Sequence, residues 1–187
     1  MGTIHTFFKL QSTCLGKVGL IWSFDHDIPK ANRIILSRPE IQVDQIMAEQ
    51  YAHLTPSSCA EVDTISMQIV AFMEGESITF DLTSARLDLC PLFQQRVLQA
   101  ECRVPRGWVT TYQRIAKHLG NPNAARAVGH ALATNPFPIV IPCHRAIRSD
   151  RTLGGFQGGL DMKHILLEQE GHAFDPGMRI RNPRLYY

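Results

Sequence analysis

The 187 residues, 44% hydrophobic and 19% charged, suffice for one domain or two small ones with a sizeable core, and no apolar run approaches the roughly 20 residues that span a bilayer. The five cysteines, Cys14, Cys59, Cys90, Cys102 and Cys143, are odd in number and widely spaced with no C-x-x-C pair, which argues against a disulfide framework or a zinc knuckle and for a reducing, intracellular setting. Residues 1–91 hold six Lys and Arg against eleven Asp and Glu, a net of −5, whereas residues 92–187 hold thirteen against six, a net of +7, so the second half either faces a polyanion or belongs to a dipolar protein with no such partner.

The start, MGTIHTFFKLQS, has neither a secretory nor a transit pattern, and no export signal is expected. Residues 3–10 (TIHTFFKL), 17–24 (KVGLIWSF) and 33–37 (RIILS) are short β-branched and aromatic runs, as in a small antiparallel sheet. The stretch 39–56 is ambiguous between helix and loop. Ile65, Ile69 and Phe72 fall at helical spacing within residues 61–73, and SITFDL (77–82) reads as a further strand. The pattern changes near residues 85–92, which divides the chain into an N-terminal α/β domain, 1–88, and a C-terminal domain, 89–187.

From Phe93 the pattern is helical. FQQRVLQAECRV (93–104) is ended by Pro105-Arg106-Gly107; Thr110 or Thr111 can cap a second helix, TYQRIAKHLG, which stops at Gly120. Asn121-Pro122-Asn123 is a turn, and Asn123 can cap a third helix, 124–135, whose Ala124, Ala125, Ala127, Gly129 and Ala131 make an unusually small face. The pair reads as a helix-turn-helix or as part of a plain bundle. Residues 139–141 resemble a buried strand leading into Pro142-Cys143-His144, and Asp161 can cap a last helix that ends at Gly171.

Cys143 is either a packed core thiol or a nucleophile. A reacting thiol needs a base and a group to orient that base; His144 is adjacent, and Asp161, Glu168 and Glu170 are the nearby carboxylates. Neighbouring side chains on an extended segment point apart, so a bridging water is a plausible link between Cys143 and His144.

Residues 91–172 carry, in order, a P-x-G turn, TYQRIA, GNPNAARAVG, NP…PCHR, GG-x-x-GGL and LL-x-x-EG. Together these resemble the C-terminal domain of the O6-alkylguanine-DNA alkyltransferases. The resemblance implies an α+β chain: a small, ribonuclease-H-like N-terminal sheet with a helix, then a mostly helical, winged-helix-like domain with a helix-turn-helix and the active cysteine. It implies direct-reversal repair, in which Cys143 takes the alkyl group of O6-alkylguanine, or of the related O4-alkylthymine, irreversibly and once. His144 is then the base acting through water, Glu170 its polarising partner, and Tyr112 the donor to N3 of guanine. Arg126 replaces the extruded nucleotide, with Thr111, Asn123, Ala125, Ala127, Gly129 and Arg145 as further DNA contacts. Asn135, Ala146, Phe156, Gln157 and Gly158 line the substrate pocket. Three positions depart from the family pattern: Ala146 stands where a larger β-branched residue is usual, Gln157 where a small one is, and Trp108 is bulky in a turn beside the DNA-binding helices. The implied partner is duplex DNA containing O6-alkylguanine, met by a monomer with no cofactor, metal or membrane. The alternatives are a lesion-binding protein without transfer, which Cys143 argues against, and a helix-turn-helix regulator.

Overall fold

The computed structural model of the chain describes residues 5–187, so the first two residues of the earliest expected strand lie outside the described residues. The chain separates into two compact units, one running to Leu89 and including Pro136–Val140, the other comprising Cys90–Asn135 and Ile141–Tyr187. The second unit is therefore interrupted, unlike the continuous 89–187 domain expected from sequence.

In the first unit, β1 (Thr6–Thr13), β2 (Gly16–Asp25) and β3 (Ile28–Leu36) form two successive hairpins, and β4 (Thr55–Pro56) adds a short parallel edge, in the order β3-β2-β1-β4. The sheet is thus antiparallel apart from that edge. Val18 to Ser23 of β2 are buried without a break, because both faces are covered. Ile21 and Ile35 pack with Val43, Ile46 and Met47 of α1 (Val43–Gln50), while α2 (Ala60–Met73) packs on β1 and β3, and Lys9 of β1 reaches its Asp63 at 2.6 Å. Gly19 matters for this packing: a Cβ there would stand 3.0 Å from a Val43 methyl.

SITFDL is not a strand. The Asp81 carboxylate accepts hydrogen bonds from the Thr83 amide and hydroxyl, and this local pairing starts a 3-10 turn, Leu82–Ser84, in place of a ladder. Residues 139–141 are not a strand either. Ile139 sits at φ 75, and Pro136, Pro138 and Pro142 withhold three amide donors, so the segment turns; the Pro136 carbonyl accepts from the Ile34 amide of β3 at 2.7 Å.

In the second unit, α3 (Leu92–Cys102), α4 (Tyr112–His118) and α5 (Ala125–Ala133) pack on one another, with α6 (Leu160–Gln169) closing the order. β5 (Thr110–Thr111) pairs in parallel with β6 (Ala146–Ile147), which ties the start of α4 to the residues after Cys143. Val109, Ile147, Leu153, Leu167 and Ile180 form a core here. The tail was not anticipated: Val109 donates its amide to Arg184 and accepts from Tyr186, both at 2.9 Å. Gly120 (φ 80) and Gly171 (φ 90) follow the ends of α4 and α6 as expected.

Two expected caps differ. Pro122–Ala124 form a 3-10 turn, so Asn123 lies inside it and Ala124 takes the N-cap of α5 without a side-chain bond. Gly159, at φ 88, takes the N-cap of α6, which leaves Asp161 in the first turn, where its charge favours the helix dipole. Among the described residues no helix is long and apolar enough to cross a membrane.

Candidate active site

Past Pro142 the chain makes a 3-10 turn, Cys143–Arg145, closed by the Arg145 amide donating to the Pro142 carbonyl at 2.8 Å. All three side chains are buried, Cys143 to 5% and His144 to 0% exposure. The Asn135 amide nitrogen donates to Cys143 Sγ and to the Ile141 carbonyl, each at 3.2 Å, and so fixes the thiol to the turn that presents it. Burial pushes the Cys143 thiol up to about 11, and the Asn135 donor works against that rise.

His144 Nε2 meets Glu170 Oε1 at 3.0 Å. Of the three nearby carboxylates, it is Glu170, at the C-terminal end of α6, that engages the imidazole. Arg145 grips the same carboxylate with two donors, Nε to Oε2 at 2.9 Å and Nη2 to Oε1 at 2.7 Å, and gives Nη1 to the Val104 carbonyl at 2.7 Å. Burial would raise the Glu170 carboxyl, but His144 and Arg145 outweigh it and hold it down at about 2. Burial also keeps His144 below its ordinary value despite Glu170, so the imidazole is neutral beside a carboxylate whose counter-charge is Arg145. The ring nitrogen opposite Glu170, Nδ1, is the one that can take a proton.

Arg145 was expected at a DNA surface; it is 8% exposed with its guanidinium turned inward. Arg148 is the arginine that reaches the pocket. That pocket, about 220 Å³, is lined by Cys143, by Tyr112 from α4, by Gly129, Leu132 and Ala133 from α5, by Arg148, and by Gly154, Gly155 and Phe156. It is smaller than the roughly 300–1,000 Å³ of sites for drug-sized ligands and suits one small ring system. Tyr112, half-buried, has its phenol pushed up to about 12 by burial, then by Glu101 and Cys143, and stays protonated at neutral pH.

The Gly-rich loop is shaped around Tyr112. Gly154 sits at φ 68, and a Cβ there would stand 2.5 Å from the Tyr112 hydroxyl. Gly154→Ala is therefore expected to lower stability by about 1–3 kcal/mol and to displace Tyr112, read as a melting temperature several degrees lower; an unchanged melt would contradict the fit. A Cβ on Gly158 would overlap Met162 and crowd Phe156, whose ring meets His144 edge-on with centroids 6.2 Å apart. The Gln157 amide donates to the Asn135 carbonyl and to the Ala133 carbonyl at 3.4 Å, pinning the loop to the end of α5.

Other expected residues fall elsewhere. Of the residues expected to line the pocket, Phe156 does, while Asn135, Ala146, Gln157 and Gly158 are not among its lining; Ala146 is fully buried in β6, where its carbonyl accepts from Lys163 Nζ at 2.6 Å. Thr111 is 7% exposed because its hydroxyl caps α4 by accepting from the Arg114 amide. Arg126 and Ala127 lie exposed in the first turn of α5, Ala125 and Gly129 are half-buried, and Asn123 is exposed in the turn before it. Two buried ionisable residues, Glu101 and Lys163, were not anticipated. For Glu101 a signal existed: it stands four residues after buried Val97, on the inward face of α3. Among the described residues no three His, Cys, Asp or Glu side chains gather as a metal site.

A family profile described as 6-O-methylguanine DNA methyltransferase, DNA binding domain, matches residues 92–172, the stretch that holds Tyr112, Arg126, Asn135, Cys143, His144 and Glu170. The methylated-DNA–protein-cysteine methyltransferase of Mycobacterium leprae is 42% identical over 131 residues, 70% of this chain and 77% of that protein. The chain belongs to this methyltransferase family. The methylated-DNA–protein-cysteine methyltransferase of Methanothermobacter thermautotrophicus is 44% identical over 114 residues, 61% of this chain and 61% of that relative's length. The Mycobacterium tuberculosis OGT structure in complex with DNA superposes with a TM-score of 0.68 at 32% identity, covering 90% of this chain and 93% of that one. The O6-methylguanine-DNA methyltransferase of Pyrococcus kodakaraensis, 24% identical with a TM-score of 0.65, shares the fold.

Proposed function

We propose that this methyltransferase-family chain repairs DNA by moving the alkyl group of O6-alkylguanine in a duplex onto Cys143, once per molecule. The observation that carries the reading is the placement of Cys143 in a small pocket with Tyr112, one residue from a neutral His144 that Glu170 and Arg145 hold in position. All five cysteines are free, which suits a reducing intracellular compartment.

An O6-alkyl group inside a stacked base is out of reach of a buried thiol, so the nucleotide is turned out, at a cost of a few kcal/mol. α5 offers its small face to the DNA, and Arg126 enters the stack in place of the lost base. Arg148, Arg126 and phosphate contacts draw on the +7 charge of residues 92–187. In the pocket His144 takes the thiol proton through a water, and Glu170 stabilises the imidazolium. The Cys143 sulfur attacks the alkyl carbon in line: the S–C bond forms, the C–O6 bond breaks, and its electron pair stays with guanine. Tyr112 donates to N3 as that charge develops and recovers its proton as His144 releases one; in sum the thiol proton ends on guanine. A thioether has no good leaving group, so nothing restores the thiol. No cofactor enters, and a monomer suffices. The pocket's walls at Gly129, Leu132, Ala133 and Phe156 set which alkyl groups fit.

The test is a titration of duplex DNA bearing O6-methylguanine with the protein, scored by loss of the lesion. Repair should stop at one lesion per protein molecule. Tight lesion binding with no loss of the lesion would establish the non-transferring alternative instead.

A further inference from the structure

α3 carries an acid that the transfer chemistry above does not use. Glu101 is 0% exposed, and both carboxyl oxygens are buried without a hydrogen-bond partner. Its helix packs against the Cys143–Arg145 turn, α4 and α5. The charged and titratable groups that interact with it are Cys143 and Arg145 from that turn, Lys163 from α6, Tyr112 from α4, Cys102 on its own helix and Tyr187 in the tail. α5 adds only Arg126 and His130, both exposed.

A carboxylate in an apolar interior with no donor to receive its charge is penalised, so the neutral acid persists. Burial pushes Glu101 up to about 8 against the pull of Lys163 and Arg145. Lys163 does not neutralise it by contact: its ammonium is held by the carbonyls of Ala146 at 2.6 Å and Gly155 at 3.3 Å, and burial brings it down to about 8. α3 packs on the turn that carries Cys143 and on α4, which carries Tyr112, so a charge on Glu101 opposes ionisation of both groups.

We propose that Glu101 is a positioning residue for charge: while protonated it lets the Cys143 thiolate form, and once ionised it opposes that thiolate, so alkyl transfer loses part of its gain in alkaline solution. The inference rests on Cys143 being the acceptor.

Glu101→Gln keeps the shape and fixes the neutral state. Two readouts against pH separate the inference from the reading beneath it. The first is the ultraviolet absorbance of the Cys143 thiolate, taken as the difference from Cys143→Ala in each background, which reports the thiol whether or not any alkyl group moves. The second is the rate of transfer from duplex O6-methylguanine. The two proteins should match near pH 6.5. Above about pH 8 the Glu101→Gln thiol should ionise more readily and transfer should run roughly three- to tenfold faster than wild type. Glu101→Leu, which removes the polar group altogether, should shift both readouts the same way and serves if the amide prevents folding. Coincident thiolate titrations in all three proteins would overturn the proposal and leave the alkaline behaviour to Lys163.

Discussion

Glu170→Gln is expected to cost about 3–5 kcal/mol of stability and to slow transfer by roughly 10²–10³-fold. The carboxylate serves two buried partners at once, His144 Nε2 at 3.0 Å and the Arg145 fork at 2.7–2.9 Å. Gln keeps the volume but leaves the Arg145 charge buried and unpaired, which accounts for the stability loss. The imidazolium that forms as His144 takes a proton also loses its counter-charge, which accounts for the rate. The same group predicts an acid limb. Its folded value, about 2, lies below the ordinary carboxylate value of 4.5, so its contribution is complete above that ordinary value and fades as the pH falls toward 2. Thermal melts across that range should show wild type losing stability steeply and Glu170→Gln losing about 3 kcal/mol less. Equal melting of the two proteins at neutral pH would contradict the account.

Arg126→Ala is expected to slow transfer from duplex DNA by about 10- to 100-fold, since filling the gap left by an extruded base offsets a cost of a few kcal/mol. Arg126 is exposed in the first turn of α5, on the helix that also supplies Gly129, Leu132 and Ala133 to the pocket. Transfer from a free O6-alkylguanine base, which needs no extrusion, should keep its wild-type rate. A parallel loss on both substrates would place Arg126 in the pocket chemistry or in folding rather than in the stack.

How far the sequence could be read follows from the range of each interaction. β1, β2 and β3 were legible because their β-branched runs and intervening turn residues act locally. The Thr111 cap and the Gly120 and Gly171 stops were legible for the same reason, each needing only a few neighbouring residues. Arg145 was carried to the DNA surface by the resemblance, and the carboxylate that draws it inward is 25 residues away. Ala146 was misplaced because its environment depends on β6 pairing with β5 and on Lys163, neither visible in the motif. Asn123 failed as a cap because Pro122 begins a 3-10 turn first, and Asp161 failed because Gly159 already holds the φ that starts α6. Residues 139–141 read as a strand from their hydrophobicity, while their path is set by flanking prolines and the bond from Ile34 to Pro136. The motif across residues 92–172 carried the pocket residues Cys143, Tyr112 and Phe156 and the adjacent His144 and Glu170, but the burial of Glu101 behind them shows only in three dimensions.

The central claim is that Cys143 is the acceptor, and intact mass followed by peptide mapping tests it most directly. After mixing with duplex DNA containing O6-methylguanine, the protein should be heavier by one CH2 unit, found wholly on the peptide bearing Cys143, and Cys143→Ala should gain nothing while still binding the DNA. An unmodified Cys143 in folded, DNA-bound protein, or the added mass on Cys14, Cys59, Cys90 or Cys102, would contradict it.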